Sequence, residues 1–391
     1  MDKKNKNPNV PNLRFDFQSP WKTYKVDNII ESCGGGTPST KVISYWQGDI
    51  PWISSSDLFE NNIRDINVSR YVTKEAIKCS ATKLCPKETI CIVSRVGVGK
   101  VAVTTEPLCT SQDFMNITHF DGNKYFLAQL IQNKIKSSQL QGTSIKGITS
   151  KEIKDMRLFI PSRAEQDKIK LFLQKLDERI ETQIKIIELK QSLIKGIEDR
   201  ILWKTTNTQT KPIREFLTEI NDKSIIQNQY PLLSSTKKGL FLQTDYFNKE
   251  AASSNNIGYK IVHKGDIIIS PQNLWMGNIT YNDKFDNGLV SPSYRIYKVK
   301  EEYNAFYISR ILMSYRALSL YKNISEQGAS IVRRNLNVDA FNELCFPIPN
   351  IKKQDEVGLF LSKLHQELNY ETWILMQLKS QKNYLLNNMF I

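Results

Sequence analysis

The chain, 391 residues long, carries one pattern twice. Leu171 to Leu176 read L-F-L-Q-K-L and Leu359 to Leu364 read L-F-L-S-K-L, 188 residues apart. At the same offset Gln166-Asp167 matches Gln354-Asp355, Pro161 matches Pro349, and Ile160 matches Ile348. The spaced apolar residues Ile148, Ile153 and Met156 match Leu336, Phe341 and Leu344. A whole pattern that repeats at one offset requires two copies of one structural unit.

Downstream of each hexamer an apolar stripe alternates steps of four and three. It runs Ile169, Leu173, Leu176, Ile180, Gln183, Ile187, Lys190, Ile194, Ile197, Ile201 in the first copy. The second copy runs Val357, Leu361, Leu364, Leu368, Glu371, Leu375, Leu378, Lys382, Leu385, Met389. A period of 3.5 sustained over several heptads specifies a coiled-coil seam, because only a supercoiled partner keeps the stripe buried. Each copy is therefore a rod of about 40 residues and roughly 60 Å, and the two are expected to pair antiparallel with each other. The seam is predicted at Ile169, Leu173, Leu176, Ile180, Ile187, Ile194, Val357, Leu361, Leu364, Leu368, Leu375, Leu378 and Leu385, with polar breaks at Gln183, Lys190, Glu371 and Lys382 setting its register.

These marks divide the chain. Residues 1–12 are polar and read as disordered; 13–161 form a first domain, 162–204 the central helix, 205–212 a polar linker, 213–349 a second domain and 350–391 the C-terminal helix. The fold class is α+β, two mixed domains each followed by a long helix. Within the first domain, T-I-C-I-V-S (89–94) and K-V-A-V-T-T (100–105) read as strands joined by a turn at R-V-G-V-G, and 124–137 as an amphipathic helix. Gly97-Val98-Gly99-Lys100 lacks the spacing and the Ser/Thr of a phosphate loop. The second domain repeats the plan at 264–279 and 305–313 while its loops change.

Net charge is +14. Residues 162–203 hold nine basic against eight acidic residues and 350–391 five against four, so the remaining +12 lies outside the two helices. Basic domains on near-neutral rods point to a polyanion for the domains and a protein for the rods. No run approaches a membrane span, and the polar N-terminus lacks a signal core, so a cytoplasmic location is expected. The six cysteines form no C-x-x-C pair and read as reduced thiols, and three scattered histidines make neither a metal centre nor a triad. Glu188-Leu189-Lys190 imitates a nuclease E-x-K, but its lysine sits on the helix seam. Ser291-Pro292-Ser293-Tyr294 lacks the asparagine and the glycine-rich cofactor turn of an adenine methyltransferase. No catalytic residue, metal or cofactor is expected in this chain.

Two variable domains, each leading through P-x-x-x-x-Q into a similar long helix, resemble the specificity subunit of a type I restriction-modification system. G-G-G-T-P-S with Y-W-Q-G-D-I-P-W-I-S-S-S-D-L, and G-T-S-I-K-G-I-T-S-K-E-I with L-F-I-P, resemble segments of that family's target recognition domains. The second domain departs from the pattern in lacking G-T-P-S and I-P-W. The resemblance implies a protein without catalysis that reads a bipartite, asymmetric site in double-stranded DNA, one half per domain, and holds two modification subunits. Those partners would use S-adenosylmethionine, and motor subunits would use ATP and Mg. Expected DNA contacts lie on loops, where Arg and Lys suit phosphate or guanine and Asn and Gln suit adenine. They are Thr37, Ser39, Trp46, Ser54, Ser55, Arg95, Lys100 and Lys146 in the first domain, and Lys237, Lys238, Gln272, Asn273, Trp275, Arg333 and Arg334 in the second. Two other classes compete: a self-contained nuclease or methyltransferase, which would need an acidic cluster or cofactor loop, and a coiled-coil adaptor that binds no nucleic acid, which would leave the +12 unexplained.

Overall fold

A computed structural model describes residues 9–139, 147–237, 239–246, 255–327 and 334–391. The chain separates into two compact units, Met1–Thr182 with Leu375–Ile391, and Gln183–Ile374. Among the described residues no helix is long and apolar enough to cross a membrane.

Both units are built on the same antiparallel four-stranded sheet. In the first, the order across the sheet is Ile30–Gly34, Phe114–Phe120, Ile90–Val93, Val101–Val103. In the second it is Leu217–Ile220, Arg295–Val299, Ile267–Ile269, Ile279–Tyr281. The central strands I-C-I-V and I-I-I are buried on both faces, which is why they read as continuous rather than alternating apolar runs. The glycines at 97 and 99 take the left-handed φ of +84° and +91° that turns the first hairpin. A second sheet in the first unit orders Arg70–Val72, Ile50–Ile53, Leu108–Thr110 and Leu84–Cys85. Helix Lys124–Gln139 covers the first unit's sheet. Its counterpart is broken into Ala305–Leu312 and Tyr315–Asn323, because the Ser314 side chain caps a new helix at Ala317 N–H.

The exit from each domain follows one recipe. A short helix, Ser150–Asp155 behind a Thr149/Glu152 capping box or Val338–Glu343 behind an Asn337 cap, leads to a short strand and then to the long helix. The strands Arg157–Ile160 and Cys345–Pro349 pair with Lys22–Lys25 and Thr208–Pro212. The expected linker at 205–212 is thus corrected: its last five residues are a strand. The repeated P-x-x-x-x-Q also acquires a physical reason. Gln166, 4% exposed, donates from Nε2 to Pro161 O at 3.0 Å and accepts the Asn123 N–H at 2.9 Å. Gln354, 2% exposed, donates to Pro349 O at 2.8 Å and accepts the Asn304 N–H at 3.0 Å. Asp167 and Asp355 then accept from Asn123 Nδ2 and Asn304 Nδ2 at 2.6 and 2.8 Å. Each long helix is so locked to the start of the helix that covers its sheet, with the buried amides satisfied.

The long helices run Arg163–Lys204 and Ile351–Met389. Of the predicted seam, Ile169, Leu173, Ile187, Ile194, Val357, Leu361 and Leu378 are buried, and Leu176, Ile180, Leu364, Leu368, Leu375 and Leu385 are partly buried. The polar breaks answer one another. Gln183 Nε2 donates to Glu371 Oε2 at 2.6 Å, Lys190 Nζ reaches Glu371 Oε1 at 2.9 Å, and Lys382 Nζ reaches Asp177 Oδ1 at 2.5 Å. Within the second unit Gln183 meets Glu371 and Glu198 meets His365, so partners descend along one helix as they ascend the other and the pairing there is antiparallel. The first two letters of the repeated hexamer stay outside it: Leu171, Phe172, Leu359 and Phe360 are exposed.

The first unit's core gathers Trp21, Ile90, Ile92, Ile117, Phe126 and Leu130, and it also takes Leu386, Met389 and Phe390 from the C-terminal helix and the residue after it. In the second unit Leu202, which matches Phe390 in the repeat, is fully buried among Ile213, Phe216, Tyr307 and Phe346. Residues 9–12, expected to be disordered, are held: Trp21 N–H donates to Asn9 O at 3.2 Å and Asn12 Nδ2 to Asn388 Oδ1 at 3.3 Å. The order follows from Leu13 N–H donating to Asn388 O at 2.8 Å and Arg14 pairing with buried Glu165 at 2.7 Å.

Candidate nucleic-acid interface

In the first unit the nominated loop residues collect around Trp52, a buried residue of the second sheet. Trp46 packs edge-on against it at 5.0 Å and donates its indole N–H to Ser39 O at 3.2 Å. The glycine loop closes the other side, with Trp52 Nε1 donating to Gly36 O at 3.0 Å. A β-carbon on Gly35 or Gly36 would come within 2.1 Å of Ser111 O or 2.4 Å of the Ala81 backbone, so these glycines serve close approach to the protein's own chain. Thr37 Oγ1 donates to Gln112. Arg70, which the sequence did not single out, stacks its guanidinium 4.6 Å over Trp52 and reaches both Ser54 Oγ, at 2.6 Å, and the Asp57 carboxylate. Ser54 is thereby engaged within the chain: its N–H also donates to Asp57 Oδ2 at 2.7 Å, and it acts as a positioner. Lys100 Nζ donates to Ser55 O at 3.2 Å, pinning the turn 95–99 beside this cluster. On that turn Arg95 is exposed, with no carboxylate within ion-pair distance among the described residues, and Val96 is exposed next to it.

In the second unit the equivalent turn leaves the strand Ile267–Ile269 and carries Gln272, Asn273 and Trp275. Asn273 O accepts the N–H groups of Met276 and Asn278 at 3.0 and 3.1 Å, which folds the loop into a tight 3₁₀ turn ending at Gly277. Arg334, some 60 residues later in sequence, joins them: its N–H donates to Gln272 O at 3.2 Å and its guanidinium stacks 4.6 Å over Trp275. Trp275 Nε1 and Arg334 Nε are buried donors without an acceptor among the described residues. Buried donors are normally satisfied, which sets this stack apart from the rest of the unit's described surface. The first unit has the same contact in other residues, Ile148 N–H donating to Ser94 O at 2.9 Å. In both units, then, the loop leaving the central strand meets the segment that leads into the exit helix.

Not every nominated residue joins these clusters. Lys237 sits on the hairpin turn between Leu233–Thr236 and Gly239–Leu242 and lines, with Gly277, Arg310 and His365, a cavity of about 440 Å³ beside the central helix. That cavity's wall contains Glu198, which takes Arg310 Nε at 2.6 Å and His365 Nε2 at 2.9 Å. Burial pushes the Glu198 carboxyl up, but the hydrogen bonds from His365 and Arg310 outweigh it and hold it below the usual carboxylate range. Lys146, Lys238 and Arg333 lie outside the described residues. Arg70 could have been sought in the sequence as a cation opposite I-P-W in a neighbouring strand, since Trp52 and Arg70 are cross-strand partners.

Known proteins resemble this chain in sequence and in fold. Residues 18–191 match the family described as the type I restriction modification DNA specificity domain. The chain is 36% identical over 181 residues to the type I restriction enzyme MjaIX specificity subunit of Methanocaldococcus jannaschii, a match covering 44% of this chain and 41% of that one. It is 32% identical over 167 residues to the EcoR124I/EcoR124II specificity subunit of Escherichia coli, covering 40% of each. The matched stretch thus spans about two fifths of each curated relative. Among solved structures, the fold is similar to a type I restriction-modification S subunit from M. genitalium, with a TM-score of 0.55 at 16% identity over 98% of this chain and 99% of that one. It is also similar to a chain from a structure of type I system assembly, with a TM-score of 0.59 at 12% identity over 96% and 98%.

Proposed function

We propose that the chain is a specificity subunit of a type I restriction-modification system, and that it reads a bipartite, asymmetric DNA site, one half per unit, without catalysis of its own. One observation carries the reading: the same four-stranded sheet occurs twice in the same strand order, and the loops leaving its matching ends present different side chains. A duplicated frame with divergent loops suits two readers of different sequences. In the second unit the readers are Gln272, Asn273, Trp275 and Arg334; in the first they are Arg95, Trp46, Ser39 and Thr37, with Ser54, Ser55 and Lys100 shaping the loops and Arg70 beside them. Arg334 and Arg95 suit the O6/N7 edge of guanine, and Gln272 suits adenine.

In this reading the helices seat two modification subunits. Its support is the exposed pair at the head of each hexamer, Leu171-Phe172 and Leu359-Phe360, one matching apolar spot per repeat, as two copies of one partner require. Methyl transfer from S-adenosylmethionine, and any ATP- and Mg-driven step, belong to partner subunits in the cytoplasm.

The test is the methylation pattern of a genome in cells making the full chain with its modification subunits. Arg334→Ala is expected to relax one half-site by about 1–3 kcal/mol of discrimination at a single base pair, and Arg95→Ala to act only on the other half. Exchanging residues 13–161 for another family member's first domain should replace that other half alone. A change in both halves after any one of these alterations would overturn the modular reading.

A further inference from the structure

Lys260 begins the strand Lys260–His263 of the second unit and lies opposite Lys223 in an isolated bridge. It is only 9% exposed. A lysine this buried is normally paired, because desolvating an ammonium is costly. Among the described residues no carboxylate lies within ion-pair distance of it. Glu219, the acid nearby on the same pocket wall, is engaged by Arg295 Nη1 at 2.5 Å. Burial holds the Lys260 ammonium below the usual lysine range; Glu219 opposes this, and Arg295 and Lys223 add to it. What Lys260 does have is an opening: with Glu219, Asn221, Ser293, Tyr294 and Arg295 it lines an open pocket of about 580 Å³.

The pocket adjoins the loop assigned above to reading. Arg295 is the register partner of Ile269, the residue before Ser270, where that loop starts. Tyr294 Oη donates to Ser235 O at 3.2 Å, and the Ser235 hydroxyl donates to Asn278 Oδ1 at 3.0 Å, at the far end of the same loop. The Lys260 ammonium, without an acid partner among the described residues, a serine hydroxyl and an amide, with the Glu219 carboxylate on the wall already held by Arg295, fit the oxygens of a phosphate group. Its openness suits a strand passing over it more than a small molecule enclosed in it.

We propose that this pocket seats one phosphodiester of the DNA backbone, with Lys260 supplying the charge and Arg295 and Ser293 flanking it. The assignment rests on the proposed function and adds to it a contact that positions the duplex and reads no base. Its signature is a uniform effect across sequences.

The experiment measures binding of a target duplex and an unrelated duplex by the full chain with its modification subunits, between about 50 and 200 mM salt. Lys260→Met is expected to weaken both duplexes by the same several-fold factor and to make the slope of log affinity against log salt shallower by about 1. Lys260→Arg should keep the wild-type slope. Because Lys260→Met removes a buried unpaired charge, its melting temperature should equal or exceed the wild-type value. An unchanged slope, a loss confined to the target sequence, or a lowered melting temperature in both variants each overturns the site. Stabilisation of the DNA-free chain by inorganic phosphate, lost in Lys260→Met while duplex binding is unchanged, would make it a small-anion site and overturn the backbone assignment. Failure of the wild-type assembly to bind any duplex overturns the proposed function itself.

Discussion

Deleting residues 386–391 is expected to unfold the first unit and leave the second folded. Leu386, Met389 and Phe390 are buried in the first unit's core, where Phe390 packs 5.6 Å from Phe126 and Asn133 Nδ2 donates to Leu386 O at 3.1 Å. Emptying a large core position costs about 2–5 kcal/mol. Three lost together amount to roughly 6–15 kcal/mol, against a total stability of about 5–15 kcal/mol for a domain. Hydrogen exchange read by mass spectrometry separates the units: amides of Ile90–Val93 and Phe114–Phe120 should lose protection, and those of Ile267–Ile269 and Arg295–Val299 should keep it. Equal protection in both sheets after the deletion would show that the C-terminal residues are dispensable to the first core.

The second large effect is expected from Arg310→Ala. Glu198 is buried, and Arg310 and His365 are its partners. Removing one partner of a buried ion pair leaves a charge desolvated and costs about 3–5 kcal/mol. The pH dependence follows from the sign of the shift. Glu198 is held below its ordinary value of 4.5, so its contribution is present above that pH and is lost as pH falls through the folded value. Without Arg310, burial dominates and favours the protonated acid, so the penalty of the substitution should be greatest near neutrality and shrink toward pH 4. Denaturant midpoints of wild type and variant across that range measure it. A penalty independent of pH would mean that Arg310 acts through packing alone.

The helices and their mates were legible because a seam repeated at one offset leaves few other solutions, and its polar interruptions proved to be partners: Gln183 with Glu371, Lys190 with Glu371, and Lys382 with Asp177. The P-x-x-x-x-Q motif was visible, but its purpose was not, because the Asn123 and Asn304 amides it locks lie far away in sequence. The candidate interface was half legible. Gln272, Asn273, Trp275 and Arg334 do converge, whereas Ser54 and Lys100 are engaged by Asp57, Arg70 and the Ser55 carbonyl. A loop polar residue looks the same in sequence whether it faces solvent or braces a neighbour. The contribution of Leu386, Met389 and Phe390 to the first core was hidden for a related reason: periodicity shows that a face is apolar and not what it is buried against.

That contribution also orders events during synthesis. The second unit, Gln183–Ile374, is one continuous stretch, whereas the first needs Leu375–Ile391 as well as Met1–Thr182. These missing turns are made roughly 190 residues after Thr182, a delay of about 10–40 s at ribosomal rates of about 5–20 residues per second. Throughout that delay the surface around Phe126 that Phe390 will cover stays open to chaperones and to neighbouring nascent chains. A message broken directly after codon 374 therefore yields a chain whose later half can fold and whose earlier half cannot.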